Sequence, residues 1–327
     1  MTENSRLAEP PPATLLLAPL GLATLGLAWS EAAFVFALPT GPGGMITGFA
    51  AGLLVLFAGA IAVPIVRHWR QPDTHPAVSG RTLAISAAAV TAVLLAGAAL
   101  PRAPDLSLVL WVCGIAGLAA AGAVTVARVA GRERDPLTLR PALFLVPCGL
   151  MATPVAGIAH DLYVVSVALY ILGLLAALGL FALVFAHAVS GWVLHPPAPI
   201  ERAARTAAPV FAFFGYQGIN GGFADPTAVI LAILVLPTLG EIVPAVRAAR
   251  RDPADPRTWL CVIAVAAIAL LLLMLYEWIG GVLLATIATL VLSAATFAAL
   301  YALYYCMSAA ARGSVHHPYR QPPPVEQ

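Results

Sequence analysis

Lysine is absent from this chain and charge of either sign is scarce. Charged residues make up 10% of the 327, against about 25% in a soluble globular domain. With 61% hydrophobic residues and a mean hydropathy of +0.92, the sequence lacks the polar surface needed to keep a fold in water. Its net charge of +2 argues against the strongly basic body of a nucleic-acid-binding protein. The four cysteines, Cys113, Cys148, Cys261 and Cys306, each stand alone in apolar runs, so the CxxC and Cys/His spacings of a zinc centre are missing. Walker A, HExxH and GxSxG signatures are missing too, and His316-His317 has no acidic or Cys companion nearby. The expectation is an all-α integral membrane protein that is not an enzyme and uses no cofactor or metal.

What is present in abundance is long apolar runs. A membrane-crossing helix needs about 20 mostly apolar residues, and ten stretches qualify: 14–36, 46–66, 82–100, 107–127, 141–160, 162–190, 203–219, 226–246, 258–276 and 279–306. The seventh is the weakest, because its end reads FFGYQGINGG. The first 13 residues, MTENSRLAEPPPA, are acidic where a signal peptide would be basic. They read as a cytosolic tail, with residues 14–306 as the membrane domain and 307–327 as a second cytosolic tail.

The arginines give an independent check. Arg6, Arg67, Arg70, Arg81, Arg128, Arg132, Arg134, Arg140, Arg202, Arg205, Arg247, Arg250, Arg251, Arg257, Arg312 and Arg320 fall on one side of a ten-span topology, and only Arg102 on the other. Loops on that other side carry mainly acids: Asp105, Asp161, Asp225 and Glu277. By the positive-inside rule this predicts both termini in the cytosol of a cell (inner) membrane protein. The stretch RHWRQPDTHPAVSGR at 67–81 then becomes the first cytosolic loop, with His75 solvated.

The basic loops recur every 50 to 65 residues or so, the length of a helical hairpin, which suggests five repeated hairpins. First helices of the hairpins carry Pro19, Gly21, Thr24 and Gly26, then Pro147, Gly149, Thr153 and Pro154, then Pro209 and Gly215. Helix breakers are tolerated at membrane depth where neighbours or water satisfy the freed carbonyls, and small residues also serve close packing. Odd spans are therefore expected inside, lining a path, and even spans outside, although Pro64, Pro237 and Pro244 lie in even spans. No acidic or basic residue sits at mid-membrane in an odd span. Glu31, Glu277, His160 and Asp161 are placed near the outer end; Glu241, about two turns from Arg247, and His187 lie toward the cytosolic end. That pattern favours a passive conduit over a pump.

GLATLGLAW (21–29), HPAVS (75–79), LFLVPCG (143–149), RTAAPV (205–210) and DPRTW (255–259), in this order, resemble the tellurite-resistance/dicarboxylate transporter family, which includes slow-type anion channels and malate permeases. The resemblance covers roughly 13 to 306. It implies five inner helices around a central pore in each subunit of a homotrimer, passing small anions or C4-dicarboxylates. At the family's gating Phe this chain has Ile263, and Ile85-Ser86 replaces a Phe-Pro step; Phe213 is a second gate candidate. The expected pore lining is Gly21, Thr24, Ser86, Thr91, Pro147, Thr153, Pro209, Phe213 and Ile263. Arg81, Arg140, Arg205 and Arg257 each precede an odd span, where they either ring a cytosolic mouth or only fix topology. The alternative function is a proton-coupled dicarboxylate (malate) carrier or a tellurite-resistance exporter working through Glu31, Glu241 or His187. The expected partners are small anions and the lipid bilayer, not nucleic acid.

Overall fold

The computed structural model describes residues 13–67, 80–130, 142–189 and 199–311. Most of the N-terminal tail, the 68–79 loop with His75, the 131–141 loop with Arg140, the 190–198 loop, and 312–327 with His316-His317 lie outside the described residues, as do the side chains of Arg81 and His187. The described residues are helical. After a short 3-10 turn at Ala13–Leu16 come α1 (Leu17–Val35), α2 (Gly41–Arg67), α3 (Arg81–Ala99), α4 (Pro104–Ala130), α5 (Ala142–Ala152), α6 (Pro154–Gly157), α7 (Tyr163–Val189) and α8 (Pro199–Asn220). They are followed by α9 (Pro226–Ile233), α10 (Leu236–Leu239), α11 (Ile242–Arg251), α12 (Trp259–Ile279) and α13 (Val282–Ala311). The last helix runs five residues past the expected end of the membrane domain at 306.

Eight of the described helices are long and apolar enough to cross a membrane, and a ninth counts if α9–α10 and α11, bent by 48°, form one broken span. The seventh expected span is a helix, α8, but Glu201, Arg202 and Arg205 occupy its first two turns, which is why it falls short on composition. These are the elements of a multi-pass membrane protein. Prolines explain the breaks. Pro237 and Pro244 lack the N–H that a helix interior needs, and Pro154 separates α5 from α6. There the Leu150 carbonyl, which cannot accept from Pro154, accepts from the Thr153 N–H at 3.3 Å and the Thr153 hydroxyl at 2.7 Å.

Short connections force each first helix and its successor to lie antiparallel. Thus α2 packs on α1, α4 on α3, α7 on α5, α11 on α8 and α13 on α12. The first helices also touch one another in a closed circuit: α1 against α3, α3 against α5, α5 against α8, α8 against α12, and α12 back against α1. Burial follows this arrangement. In the first helices counted as spans, 67–72% of the residues are buried, and in the second helices 11–22%. Among the eight helices counted as spans, the first of each pair is the buried one and the second the exposed one, in line with the expected division into inner and outer helices.

Lipid offers no hydrophobic drive for apolar helices to associate, so contact depends on close packing. Glycines supply it where neighbouring backbones meet. A Cβ on Gly215 would collide with the Met151 carbonyl of α5, and one on Gly218 would come within 3.2 Å of the Val155 backbone of α6. A Cβ on Gly114 of α4 would lie 3.0 Å from the Ala89 carbonyl of α3. Gly48, on the outer face of α2, meets nothing within 4 Å.

The outer turn after α8 is held by side chains. Tyr216 donates to the Asp225 carboxylate, which also caps α9 by accepting from the Ala228 N–H at 2.7 Å. The Tyr216 hydroxyl, and then the Ala228 N–H, hold the Asp225 carboxyl below its usual range. A depressed folded-state value means that the cap contributes stability above the ordinary aspartate pKa and loses it as pH falls below that range.

Two glycine substitutions test the packing account. Gly215→Ala must push α8 from α5 and is expected to cost about 1–3 kcal/mol through overpacking. Gly48→Ala is expected to be neutral or to stabilise by up to about 1 kcal/mol, because Ala is the better helix former. Thermal unfolding of the two purified variants checks this pair.

Candidate functional site

The space enclosed by α1, α3, α5, α8 and α12 is where the expected pore lining should meet. The nine residues are all buried: Thr24, Ser86, Thr91, Thr153 and Phe213 are 0% exposed and Ile263 1%, with Gly21, Pro147 and Pro209 in the same class. A side chain with almost no accessibility has no water-sized space against it, so the surroundings of Thr24, Thr91 and Ile263 are closed and dry. Moving an unhydrated ion through such a medium costs tens of kcal/mol. This conformation therefore does not conduct ions past these residues.

Helical spacing and contacts separate eight of the nine by direction, while the ninth, Thr153, offers its carbonyl to Trp111 Nε1 of α4 at 2.9 Å. Gly21 seats the Trp259 ring, to which its Cβ would approach within 2.8 Å. Thr24 is one turn further along that side of α1, and Ile263 is one turn beyond Trp259 on α12. Thr91 lies across α3 from Ala89 and Val93, the residues that receive Gly117 and Gly114 of α4. These four line the α1–α3–α12 side of the ring. Ser86, by contrast, shares the Ala89–Val93 stripe and so faces α4. The Pro147 carbonyl lies beside Gly173 of α7. Pro209 is one turn past Arg205, on the side of α8 that meets the broken span.

Phe213 also points away from the axis. It lies seven residues, or two turns, after Thr206, whose hydroxyl donates to the Thr238 carbonyl of α10 at 3.2 Å, and its ring packs edge-on to Trp278 at 5.4 Å. Trp278 is 15 residues beyond Ile263, roughly 22 Å along α12 at 1.5 Å per residue. The two expected gate residues are thus at different depths and do not form one constriction. Ala207, Phe211 and Phe214, all buried, lie roughly 80–140° around α8 from Thr206 at 100° per residue. Phe211 and Phe214 stand one turn before Gly215 and Gly218, which press against α5 and α6. They are large side chains buried on the flank of α8 that packs toward α5 and α6, and sequence reasoning missed them. Their four-residue offset from the two packing glycines is the signal that points to them.

The hydroxyls are mostly committed. Thr24 donates to the Leu20 carbonyl at 2.9 Å, Thr91 to Ala87 at 2.7 Å and Thr153 to Leu150. Each is thus an acceptor toward the ring unless it gives up a bond worth about 1 kcal/mol. Ser86 Oγ is buried without a partner among the described residues.

At the arginine end, Arg205 pairs with Glu241 at 3.2 Å and Arg257 with Asp255 at 2.7 Å. Glu241, at the start of α11, thus has its ion-pair partner on α8. Two of the four expected mouth cations are therefore neutralised locally. The Arg205–Glu241 pair and the Thr206–Thr238 bond dock α8 onto the break between α10 and α11, where Pro237 and Pro244 interrupt the ladder. At the opposite end, Glu31 in the last turns of α1 and Glu277 near the end of α12 are close enough for their charges to act on each other. His160 meets Ser107 at 3.0 Å, and Ser107 donates to the Ala96 carbonyl at 2.8 Å. Among the described residues, no group of three or more His, Cys, Asp or Glu is placed to hold a metal ion.

The Arg205–Glu241 contact predicts a positive coupling. Arg205→Gln and Glu241→Gln should each destabilise by more than half of what the double variant does, with a coupling of about 1–2 kcal/mol for this partly exposed pair. A double-mutant cycle on unfolding temperature measures it, and strict additivity would mean that the pair contributes nothing. No protein-family model matches this chain, and no curated protein matches it either.

Proposed function

We propose that this chain is a passive conduit for small anions, with the ring of inner helices as its path. The observation that carries the reading is the sense in which those helices run. Each inner helix is followed by an antiparallel outer one, so α1, α3, α5, α8 and α12 run in the same direction. Their N-termini gather at the end of the ring that also holds Arg205 and Arg257. A helix N-terminus acts as roughly +0.5 of an elementary charge, and five together beside a low-dielectric core draw anions to that mouth. Because both described arginines are paired, the helix ends rather than the guanidiniums supply most of this attraction. C-termini and the Glu31–Glu277 pair lie at the other end and repel anions there. Anion entry is thus favoured from the arginine end.

In this reading the fold is ten transmembrane helices in five hairpins, with α8 as the seventh span and α9–α11 as the eighth. Both termini lie in the cytosol of a bacterial-type inner membrane, and the chain is a member of the tellurite-resistance/dicarboxylate transporter family that assembles as a homotrimer. Chloride, nitrate and C4-dicarboxylates are its substrates. The dry ring is the closed state, sealed on the α8 side by Phe211 and Phe214 and on the α12 side by Ile263 nearer the arginine end. Apolar residues close a narrow path by dewetting it. Opening requires these side chains to turn or the helices to part.

A proton-coupled carrier is the second reading, and one observation favours it: Glu31 and Glu277 stand together at the outer end of two inner helices. The two readings separate in proteoliposomes loaded with chloride, nitrate or malate. The conduit reading expects flux that follows the anion gradient and membrane potential without a proton gradient. It also expects Phe214→Ala, or the gentler Phe214→Leu, to raise that flux by roughly tenfold, which corresponds to about 1.4 kcal/mol off the barrier, while Phe213→Leu leaves it near the parent value. Flux that appears only with an imposed proton gradient, and disappears in Glu31→Gln, would establish the carrier instead.

A further inference from the structure

The broken span ends in a short helix whose character differs from everything before it. Along α9 and α10 the exposed side chains are Val229, Ile230, Ile233, Leu234 and Leu236, as lipid requires. After the 48° bend, α11 buries Ala245 and Ala249 against Ile200, Ala203, Cys261 and Ala264. Its outward face becomes basic: Arg247, Arg250 and Arg251 are all exposed. Arg205 and Arg257 have carboxylate partners, but these three make no ion pair or hydrogen bond among the described residues. Asp252 follows directly in sequence and takes none of them.

A second helix changes character in the same way. Down α13 the exposed large side chains are apolar through Phe297 and Leu300, with the exposed Thr286 and Thr289 hydroxyls bonded back to the helix, and then a tyrosine cluster begins. Tyr301 packs on Tyr305 at 4.7 Å with the rings tilted by 54°, and Tyr304 meets Tyr305 edge-on at 5.2 Å. Tyr301 and Tyr304 are exposed. Tyrosines of this kind mark the boundary between hydrocarbon and headgroups. α13 returns antiparallel along α12, so Tyr301 to Tyr305 lie at the end where α12 begins, and α11, which also packs on α12, ends there too. The Arg250 charge acts on Tyr301.

We propose that Arg247, Arg250 and Arg251 of α11, with Tyr301 and Tyr304 of α13, form a binding site for the phosphate of an anionic phospholipid headgroup. The guanidiniums supply charge and several N–H donors to phosphate oxygens. The tyrosine hydroxyls add donors, and their rings pack against the glycerol and upper acyl chains. A zwitterionic headgroup presents the same phosphate, but its ammonium opposes the three positive charges, so the site selects a net negative lipid. The acyl chains would lie along the apolar faces of α9 and α13, which ties this ligand to the bilayer rather than to a soluble phosphate. This site is independent of what passes through the ring.

The test uses the purified full chain in neutral detergent, titrated with dioleoyl-phosphatidylglycerol, dioleoyl-phosphatidylcholine or glycerol 3-phosphate and read by native mass spectrometry. The parent protein is expected to retain phosphatidylglycerol in preference to phosphatidylcholine. Each arginine replaced by glutamine should weaken phosphatidylglycerol binding about fivefold, the equivalent of about 1 kcal/mol per charge. R247Q/R250Q/R251Q should abolish the preference, and Y301F should lower it. All three arginines are exposed, so the variants should keep the parent's elution profile, and R102Q at the opposite end serves as a charge-matched control. Equal binding of the two lipids, an unchanged preference in the triple variant, an equal loss in R102Q, or glycerol 3-phosphate binding as well as the lipid would each overturn the site.

Discussion

The seat of Gly215 of α8 against the Met151 carbonyl of α5, where a Cβ has no room, is the kind of constraint on which the rest of the structure depends. In lipid an apolar side chain gains nothing by leaving one hydrocarbon surface for another, so helices stay together only where their shapes interlock. Small residues at Gly21, Gly114, Gly215 and Gly218 set those distances. They let α1 receive Trp259, α3 receive α4, and α5 with α6 receive α8. Five inner helices can then close on themselves without a gap. The outer helices shield them from lipid and carry the bulky apolar side chains that the bilayer requires.

Closing the ring has an electrostatic consequence that no single residue reveals. Since every inner helix is answered by an antiparallel outer one, the five inner dipoles add instead of cancelling, and one end of the ring becomes positive through backbone alone. The carboxylates of Glu241 and Asp255 tie down the nearby arginines. The Arg205–Glu241 pair also secures the weak point of the outer layer, the bend at Pro237 and Pro244, by fastening it to α8. Stability of the break and the charge at the mouth are therefore set by the same side chains.

Much of this was legible in the sequence. Hydropathy and the one-sided arginines gave the helices and their alternation, because a 20-residue apolar run has few other stable forms. The inner positions of odd helices followed from their small residues. Side-chain direction was less accessible. Ser86, Pro147, Pro209 and Phe213 belong to inner helices, yet they face α4, α7, the broken span and Trp278. An apolar helix buried on nearly all sides has no polar stripe to reveal which face turns inward. Phe211 and Phe214 were overlooked for that reason, as was the Arg205–Glu241 pair, which joins residues 36 positions apart in sequence. The ten-span count rests partly on α8, whose first turns are too charged to stand out by composition.

The most direct test of the account is the sign of the charge that crosses. Purified protein in a planar bilayer under a potassium chloride gradient should give a current that reverses near the chloride equilibrium potential, and that is larger when anions enter from the arginine end. Reversal near the potassium potential would contradict it, because a ring with five positive helix ends at one mouth has no means of preferring cations there.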